Sequence, residues 1–418
     1  MLPDAVRYQR TRNVGFLLID NPPVNVLGGA VRSGLARALD LGLADEAVQA
    51  IVIAGTGRAF SAGADISEFD APMTEPTLQS LFAAIEAASK PVVVAMHGTV
   101  LGGGLELALA GHYRVAVTAA TLGLPEITLG LIPGAGGTQR LPRVIGAIAA
   151  LEMIISGLPV DASEAHRLGL IDAVLDGDLL KGAQLYCESL VAQGAGPRAT
   201  RARPIDLAGF DSAGIEALLG KHSPQLRGRT TQHLVGEAVM AAAQRDFDAA
   251  LAVERQIAER SLTTPESKAL RHLFFAERQV ARARKAGFVA GDALGFIGNK
   301  MMLAGYPRPA QLLSAEQPEI FERCTLQLIN IGAQAIEAGV VGRTGDIDVA
   351  CVHAYDFPRH LGGPMFHADT LGLGHVLERM EHYRCRLESD DWQPAALLEE
   401  LVRRSQSFAQ WDSERAAG

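Results

Sequence analysis

Two glutamates, Glu106 and Glu126, stand in otherwise apolar stretches of the sequence. Glu106 follows a glycine triplet at 102–104 and opens an apolar helix, whereas Glu126 comes directly after a proline. Apolar surroundings raise the pKa of a carboxyl group toward neutrality, where the group can both take and give protons. The pair therefore predicts general acid/base chemistry. The alternative is that each is an ordinary surface glutamate, which in the case of Glu106 caps its helix.

Two turns of small residues predict a site for a negatively charged oxygen. The glycine triplet at 102–104 lies between an apolar strand at 91–96 and an apolar helix, so its N–H groups lie at a helix N-terminus. Such N–H groups bind anions. A strand at 50–54 runs into a second turn at 55–65, whose N–H groups can face the first. Two opposed donors of this kind would bind one thioester carbonyl oxygen.

Three motifs resemble the enoyl-CoA hydratase/isomerase (crotonase) family in order and spacing, within residues 1–192. They are Phe60-Ser61-Ala62-Gly63-Ala64-Asp65, the segment 102–106 and the segment 125–140. The resemblance implies an α/β fold, a crotonase-like spiral of ββα turns. It also implies that Ala64 and Gly103 supply the oxyanion-hole N–H groups and that Glu106 and Glu126 hold and activate water. The contacts expected for coenzyme A and substrate are Arg58, Ser61, Ala62, Asp65, Ile66 and Gly102.

The second half resembles parts of the peroxisomal-type multifunctional enzymes of β-oxidation. Residues 273–278 resemble their linker helix. Three further segments are similar to the C-terminal helical domain of their 3-hydroxyacyl-CoA dehydrogenase part: 319–324, 345–349 and 355–365. The expected domains are therefore a crotonase domain at 1–192, a helical linker region at 205–286 and a truncated helical dehydrogenase-like domain at 287–418.

An NAD-binding domain is missing from this arrangement. Enzymes of this type would carry it between Arg278 and Gly287, with a Gly-x-Gly-x-x-Gly turn and a catalytic histidine. Asn299 matches the asparagine of the dehydrogenase site, but the catalytic histidine of that site, which would receive the proton, has no counterpart in this sequence. We therefore expect no NAD binding and no dehydrogenase activity, with coenzyme A entering only as part of the substrate and Asn299 as a relic.

Three functions compete for this sequence. The first is hydration of trans-2-enoyl-CoA, in which Glu106 takes a proton from water and Glu126 delivers one to the α carbon. The second is isomerisation of 3-enoyl to 2-enoyl thioesters, for which Glu126 alone would suffice. The family that the sequence resembles often catalyses both reactions, so isomerisation is also expected as an activity beside hydration. The third is a non-catalytic or scaffolding relative that docks a β-oxidation partner such as a thiolase. Retention of both glutamates and both oxyanion segments argues against the third.

Composition and charge limit the kinds of partner that the chain is expected to bind. The chain has 418 residues, 48% of them apolar, and a formal net charge of −9, which argues against nucleic acid as a partner. Five histidines recur between His353 and His382, but their gaps do not fit a metal site, and no metal is expected.

Two further features have structural alternatives to a functional role. Asp65 can be a turn or helix cap instead of a binding residue. Gly134 to Thr138 lack the ending of a phosphate-binding loop and are expected to form a pocket wall.

The cysteine spacing, the terminal residues and the length of the apolar stretches indicate where the protein is located. The four cysteines have no paired spacing and are expected to be reduced. The first residues do not resemble a secretion signal, the last do not resemble a peroxisomal address, and no stretch is long enough for a membrane helix. We expect a cytoplasmic protein with no membrane association, and self-association or contact with a thiolase as open alternatives.

Periodicity predicts the elements that position these residues. Strands are expected at 14–20, 50–54, 91–96 and 113–117, alternating with helices at 29–43, 77–88, 103–111 and 142–156. A linker is expected at 191–206, followed by helices at 232–244, 247–259, 267–285 and 320–338. The apolar face of the last helix is expected to bury against residues 273–280 and against the crotonase domain. This face includes Leu326, Leu328, Ile329, Ile331 and Ile336.

Overall fold

The computed structural model describes residues 5–69, 72, 74–222, 230–285, 296–297, 300 and 318–417. Asn299 and most of the segment 287–317 lie outside the described residues. The chain divides into two compact units, Met1–Leu262 and Thr263–Gly418. The segment expected as one linker region, 205–286, is thus shared between them. No helix in the described part is long and apolar enough to cross a membrane.

A six-stranded sheet runs through the first unit. Its strands, numbered in chain order, are arranged as β1 (Val6–Thr11), β2 (Val14–Ile19), β3 (Ala50–Gly55), β5 (Val92–Met96), β7 (Tyr113–Val117) and β10 (Ala173–Leu175). All pairs are parallel except β1 with β2. Strands β2, β3 and β5 are continuous apolar runs because both faces of a parallel sheet are covered.

A second sheet supplies the ends from which the site is built. Its order is β4 (Ala59–Ser61), β6 (Thr99–Leu101), β8 (Thr121–Gly123) and β9 (Val160–Asp161). Strands β3, β5 and β7 of the first sheet are each followed directly by β4, β6 and β8 of the second. The chain therefore alternates between the sheets, and the expected crotonase-like ββα spiral is confirmed.

Helices cover both sheets of the first unit. They are α1 (Gly29–Ala44), α2 (Leu78–Glu86), α3 (Gly103–Ala110), α4 (Gly137–Ile145), α5 (Ala147–Ser156), α6 (Ala162–Arg167), α7 (Leu179–Ala192), α8 (Ser212–His222), α9 (Thr231–Gln244) and α10 (Phe247–Leu262). Helices α9 and α10 belong to this unit because Val235, Val239 and Ile257 are buried in its main apolar core.

Two expectations about this unit are corrected. The single helix expected at 142–156 is replaced by α4 and α5, which meet at Gly146. The segment 191–206, expected as a linker, instead packs on the unit. Thr200 is buried, and the Arg198 guanidinium lies 4.5 Å from the centre of the Tyr113 ring. Short-range patterns do not show such contacts, because they join residues far apart in sequence.

Strand β1 was also missed, because most of it is polar and only partly buried.

The second unit is helical throughout its described part. Its helices are α11 (Pro265–Lys285), α12 (Pro318–Glu337), α13 (Thr344–Ala354), α14 (Pro364–Leu371), α15 (Leu373–Leu387), α16 (Ala396–Arg403) and α17 (Phe408–Ala417). The expected burial of the α12 apolar face against residues 273–280 is confirmed only for Leu273, which shares one core with it. Ala276 and Val280 pack instead with Val349 of α13, and α12 packs mainly on α14 and α16. Trp392 and Tyr383 lie in the same core as Leu273.

The junction between α4 and α5 gives the first prediction. Gly146 has φ 84° and ψ 157°, a backbone region open essentially to glycine, although a β-carbon there would meet no atom closer than 3.5 Å. We expect Gly146→Ala to lower the free energy of unfolding by about 1–3 kcal/mol through backbone strain alone. Denaturant titration measures this change.

Gly236 provides the matched control. It lies inside α9 with no atom within 4 Å of an added β-carbon, so Gly236→Ala should stabilise the unit by about 0.4–1 kcal/mol. Equal effects of the two substitutions would contradict the strain at Gly146.

Candidate active site

The two small-residue turns meet where α3 begins. Gly103 is the first residue of α3, directly after β6, and a β-carbon on it would stand 3.0 Å from the Ala64 nitrogen. A side chain at this position would require the Ala64 backbone to move by a few tenths of an ångström. Among the described residues, neither the Ala64 N–H nor the Gly103 N–H has a protein acceptor. The structure therefore brings these two expected donors side by side and leaves both available.

Asn25 and Ser61 fix the turn that contains Ala64. The Asn25 amide donates to the carbonyl oxygens of Thr56 (2.9 Å) and Ala59 (2.8 Å). The Ser61 hydroxyl donates to the Asn25 carbonyl at 2.7 Å and accepts from the Gly63 N–H at 3.1 Å. The Ser61 side chain is thus bonded within the turn, where it positions the backbone of the following residues.

Glu106 is buried in the first turn of α3. The N–H groups of Ala135 and Gly137 both donate to its Oε1, each at 2.8 Å. No described group donates to its Oε2. Burial raises the pKa of Glu106 above its ordinary value, against the lowering effect of the two N–H groups and the Arg140 charge.

Glu126 opens a short 3-10 helix, Glu126–Leu129, and faces the start of α3. Its Oε1 lies 3.0 Å from the position of a β-carbon on Gly102. Its Oε2 is buried and has no hydrogen-bond partner in the described part of the protein. Burial first, and the neighbouring Glu106 second, raise the pKa of Glu126 well above its ordinary value. The two glutamates thus differ in environment, because Glu106 receives the N–H groups of two other residues, whereas the N–H group that acts on Glu126 is its own.

A third buried carboxylate, Glu254, was missed by the sequence analysis. It lies on α10 and accepts from the N–H groups of Gly136 (2.6 Å) and Thr138 (3.0 Å) and from the Thr138 hydroxyl (2.5 Å). Burial and the neighbouring Glu106 raise its pKa to about 8. A signal was present in the sequence, since Glu254 occupies the apolar stripe of α10 that also contains Phe247, Ala250, Ile257 and Ser261.

The part of the chain that carries this geometry matches a known family. Residues 9–200 match the family described as enoyl-CoA hydratase/isomerase. Residues 9–200 belong to this family. The hydratase/isomerase domain so defined contains the Ala64 and Gly103 N–H groups and both predicted glutamates, whereas Glu254 lies beyond it.

Individual relatives agree with this assignment. The chain is similar to a peroxisomal bifunctional enzyme of Danio rerio, 40% identical over 64% of this chain and 37% of that protein. It is 37% identical to the peroxisomal bifunctional enzyme of Homo sapiens, over 71% of this chain and 43% of the human protein. A probable enoyl-CoA hydratase of Bacillus subtilis is 48% identical over 38% of this chain and 64% of that protein. The chain spans less than half the length of the two peroxisomal relatives.

A buried ion pair supports the loop that leads into α4. The Arg140 guanidinium lies 2.8 Å from Glu86 of α2 and donates to the Ala135 carbonyl at 3.2 Å. The Arg201 N–H donates to the other oxygen of Glu86 at 2.7 Å. Because both partners of the pair are buried, removing either one would leave an uncompensated charge in the core. Sequence patterns did not reveal Glu86, which pairs across 54 residues.

Three of the remaining predicted contacts lie within the turn 55–65. Arg58 is exposed and donates to the Pro23 carbonyl at 3.2 Å. Ala62 is half-buried, and its N–H donates to the Val24 carbonyl. Asp65 caps the 3-10 helix Ile66–Glu68 by accepting from the Ser67 N–H at 3.1 Å, which is the alternative expected for it. Roles of these residues in binding coenzyme A stay predictions.

Histidines of the second unit have protein partners rather than a common centre. His353 lies 2.7 Å from Glu277, and His272 lies 2.8 Å from the buried Asp348. Within the described ranges, no three side chains of metal-binding type converge.

The raised pKa of Glu126 predicts a pH-dependent stability. A carboxyl group whose folded-state pKa is raised stabilises the fold fully below its unfolded pKa, about 4.3, and this stabilisation is lost as pH rises through the folded pKa. A glutamine side chain at this position would stay neutral at every pH. We therefore expect Glu126→Gln to gain stability relative to wild type as pH rises above about 4.3, by at most about 1.4 kcal/mol per pH unit. Urea unfolding between pH 5 and 8 measures this difference.

The exposed Glu259 on α10 is the control, because Glu259→Gln makes the same chemical change in solvent. Its stability curve should run parallel to that of wild type. A Glu126→Gln curve that also ran parallel would contradict the raised pKa.

Proposed function

We propose that the hydratase/isomerase domain hydrates trans-2-enoyl-CoA to 3-hydroxyacyl-CoA in fatty-acid β-oxidation. The observation that supports it is the placement of Glu106 and Glu126 beside two N–H groups that lack an acceptor among the described residues. A thioester oxygen bound by Ala64 and Gly103 would place the enoyl double bond near both carboxyl groups. The enolate charge would develop on that oxygen, where oriented N–H groups lower the barrier.

The two glutamates have environments suited to opposite roles. Glu106 receives two N–H donors, which favour its charged form, and its Oε2 remains for a water molecule. Glu126 has a buried oxygen with no partner in the described part of the chain, which favours its protonated form. Environments that separate the pKa values of two carboxyl groups allow one to act as base and the other as acid at the same pH.

The reaction then proceeds with a balanced transfer of protons. Glu106 removes a proton from water as the oxygen forms a bond to the β carbon, and the π electrons move onto the thioester oxygen. Glu126 protonates the α carbon as the carbonyl re-forms. Proton exchange through solvent then returns Glu106 to its charged form and Glu126 to its protonated form, so that the net change is addition of one water.

Isomerisation and a scaffolding role are the alternatives. Moving the double bond requires only Glu126 to carry a proton between carbons, so Glu106 would be dispensable for it. A scaffolding protein would need neither glutamate. Arg58 as a coenzyme A contact belongs to the proposal, whereas self-association and contact with a thiolase stay alternatives. The expected cytoplasmic location is part of the proposal too, although the two relatives above are named as peroxisomal enzymes.

Substitution of the two glutamates tests the mechanism. We expect Glu106→Gln and Glu126→Gln each to reduce hydration of crotonyl-CoA by about 10²–10⁴-fold, since each removes a general acid or base. The loss of enone absorbance measures turnover. Near-normal hydration by either variant would remove that residue from the mechanism. A wild-type protein that did not hydrate any enoyl-CoA from short to long chain would favour the scaffolding role.

The missing NAD-binding domain gives a separate expectation. We predict that the chain neither binds NADH nor oxidises 3-hydroxyacyl-CoA, because it contains no dinucleotide-binding turn. Calorimetric titration with NADH should give no binding heat beyond dilution. A dissociation constant in the micromolar range would instead reveal a nucleotide site that the sequence pattern does not show.

A further inference from the structure

Four consecutive N–H groups at the start of α4 are shared between two buried carboxylates. Those of Ala135 and Gly137 donate to Glu106, and those of Gly136 and Thr138 donate to Glu254. The segment 135–138 is therefore held from two sides, by α3 and by α10. Each carboxyl group accepts hydrogen bonds from two different peptide groups of the segment. Two such bonds restrict rotation of the segment more than one would.

Glu254 also connects this segment to the neighbouring helices. The Thr138 hydroxyl donates to Glu254 and accepts from the Gln139 amide at 2.7 Å, and the same amide donates to the Ala238 carbonyl on α9 at 3.1 Å. All of these groups are buried. A buried N–H left without a partner destabilises the fold, so we expect the segment to rearrange if Glu254 is removed.

The charges around Glu254 come from several elements. Glu106 on α3 and Arg140 on α4 act on it directly, and Glu254 in turn acts on Glu126. Arg140 is itself paired with Glu86 on α2. Burying Glu254 next to an acid/base pair raises carboxyl pKa values that the core already raises. A solely structural cap could be supplied by a neutral side chain without this effect.

We propose that Glu254 is a positioning residue for the reaction, because it fixes the segment 135–138 so that Ala135 and Gly137 hold Glu106 Oε1 in its working position. This proposal rests on the proposed hydration for its kinetic consequences, but its structural consequence does not. The hydrogen bonds of Glu254 go to Gly136 and Thr138, so it acts through this segment. Its contribution is the orientation of Glu106 relative to water and the double bond.

The first experiment compares Glu254→Gln with wild type and with Glu259→Gln. In Glu254→Gln, the side-chain NH₂ group would face one of the two N–H donors in either orientation of the amide. The hydrogen bond to that donor would therefore be lost. Misplacement of a catalytic group by about 1 Å can cost about 10²-fold in rate. We expect kcat for crotonyl-CoA to fall by about that factor in Glu254→Gln, with KM little changed, whereas Glu259→Gln should match wild type.

The pH profile of the same variants distinguishes positioning from loss of fold. Glu254 raises the pKa of Glu126, so the alkaline limb of kcat should move to lower pH in Glu254→Gln. A variant that was only partly folded would lose amplitude at every pH without moving the limb. Turnover and pH profile equal to those of Glu259→Gln would overturn the proposal.

Thr138→Val supplies a milder variant if Glu254→Gln does not fold. It keeps the N–H donor to Glu254 but removes the hydroxyl donor, in a side chain of similar shape. We expect a smaller fall in kcat with KM unchanged. An unchanged kcat in this variant would count against positioning by Glu254.

Crystal structures of wild type and Glu254→Gln decide the structural claim independently of activity. We expect Glu106 Oε1 to lose at least one of its bonds to Ala135 and Gly137 in the variant. Retention of both bonds at their wild-type lengths would overturn the positioning role whatever the substrate. A wild-type protein inactive on every enoyl-CoA would instead overturn the proposed function and leave the structural comparison to decide the role of Glu254.

Discussion

Burial of the Glu106 and Glu254 carboxyl groups at the start of α4 is the constraint on which the candidate active site depends. A carboxylate removed from water is costly unless hydrogen-bond donors replace the solvent. Residues 135–138 provide four such N–H groups at a helix N-terminus, where the peptide dipoles also favour negative charge. Glu106 can therefore stay buried close to the oxyanion turns.

The rest of the first unit supports this segment from several directions. Arg140 ties the Ala135 carbonyl to Glu86, and α9 and α10 pack over α4 and α5 through apolar residues. On the opposite side, Asn25 and Ser61 hold the turn that contains Ala64. The proposed catalytic groups are few, but their relative positions depend on contacts that involve α2, α3, α4 and α10.

Much of the fold was predictable because apolar runs and small-residue turns mark strands and the loops after them within a few residues. The apolar runs of β2, β3, β5 and β7 and the small-residue turns that follow two of them indicate parallel strands with a ligand site at their ends. The break at Gly146 was not predictable in this way, because the apolar residues on both sides continue the helical period. Strand β1 was missed because its residues are mostly polar and face solvent at the edge of the sheet.

The sequence by itself determined which residue types are available for chemistry, namely two glutamates in apolar surroundings and two turns whose N–H groups could bind an anion. Only the tertiary structure decided that a Gly103 β-carbon would stand 3.0 Å from the Ala64 nitrogen and that Glu254 joins the site from 118 residues beyond Gly136. The physical reason is that propensity and periodicity act over a few residues, whereas the pKa of a buried carboxyl group depends on every donor and charge that folding brings within a few ångströms.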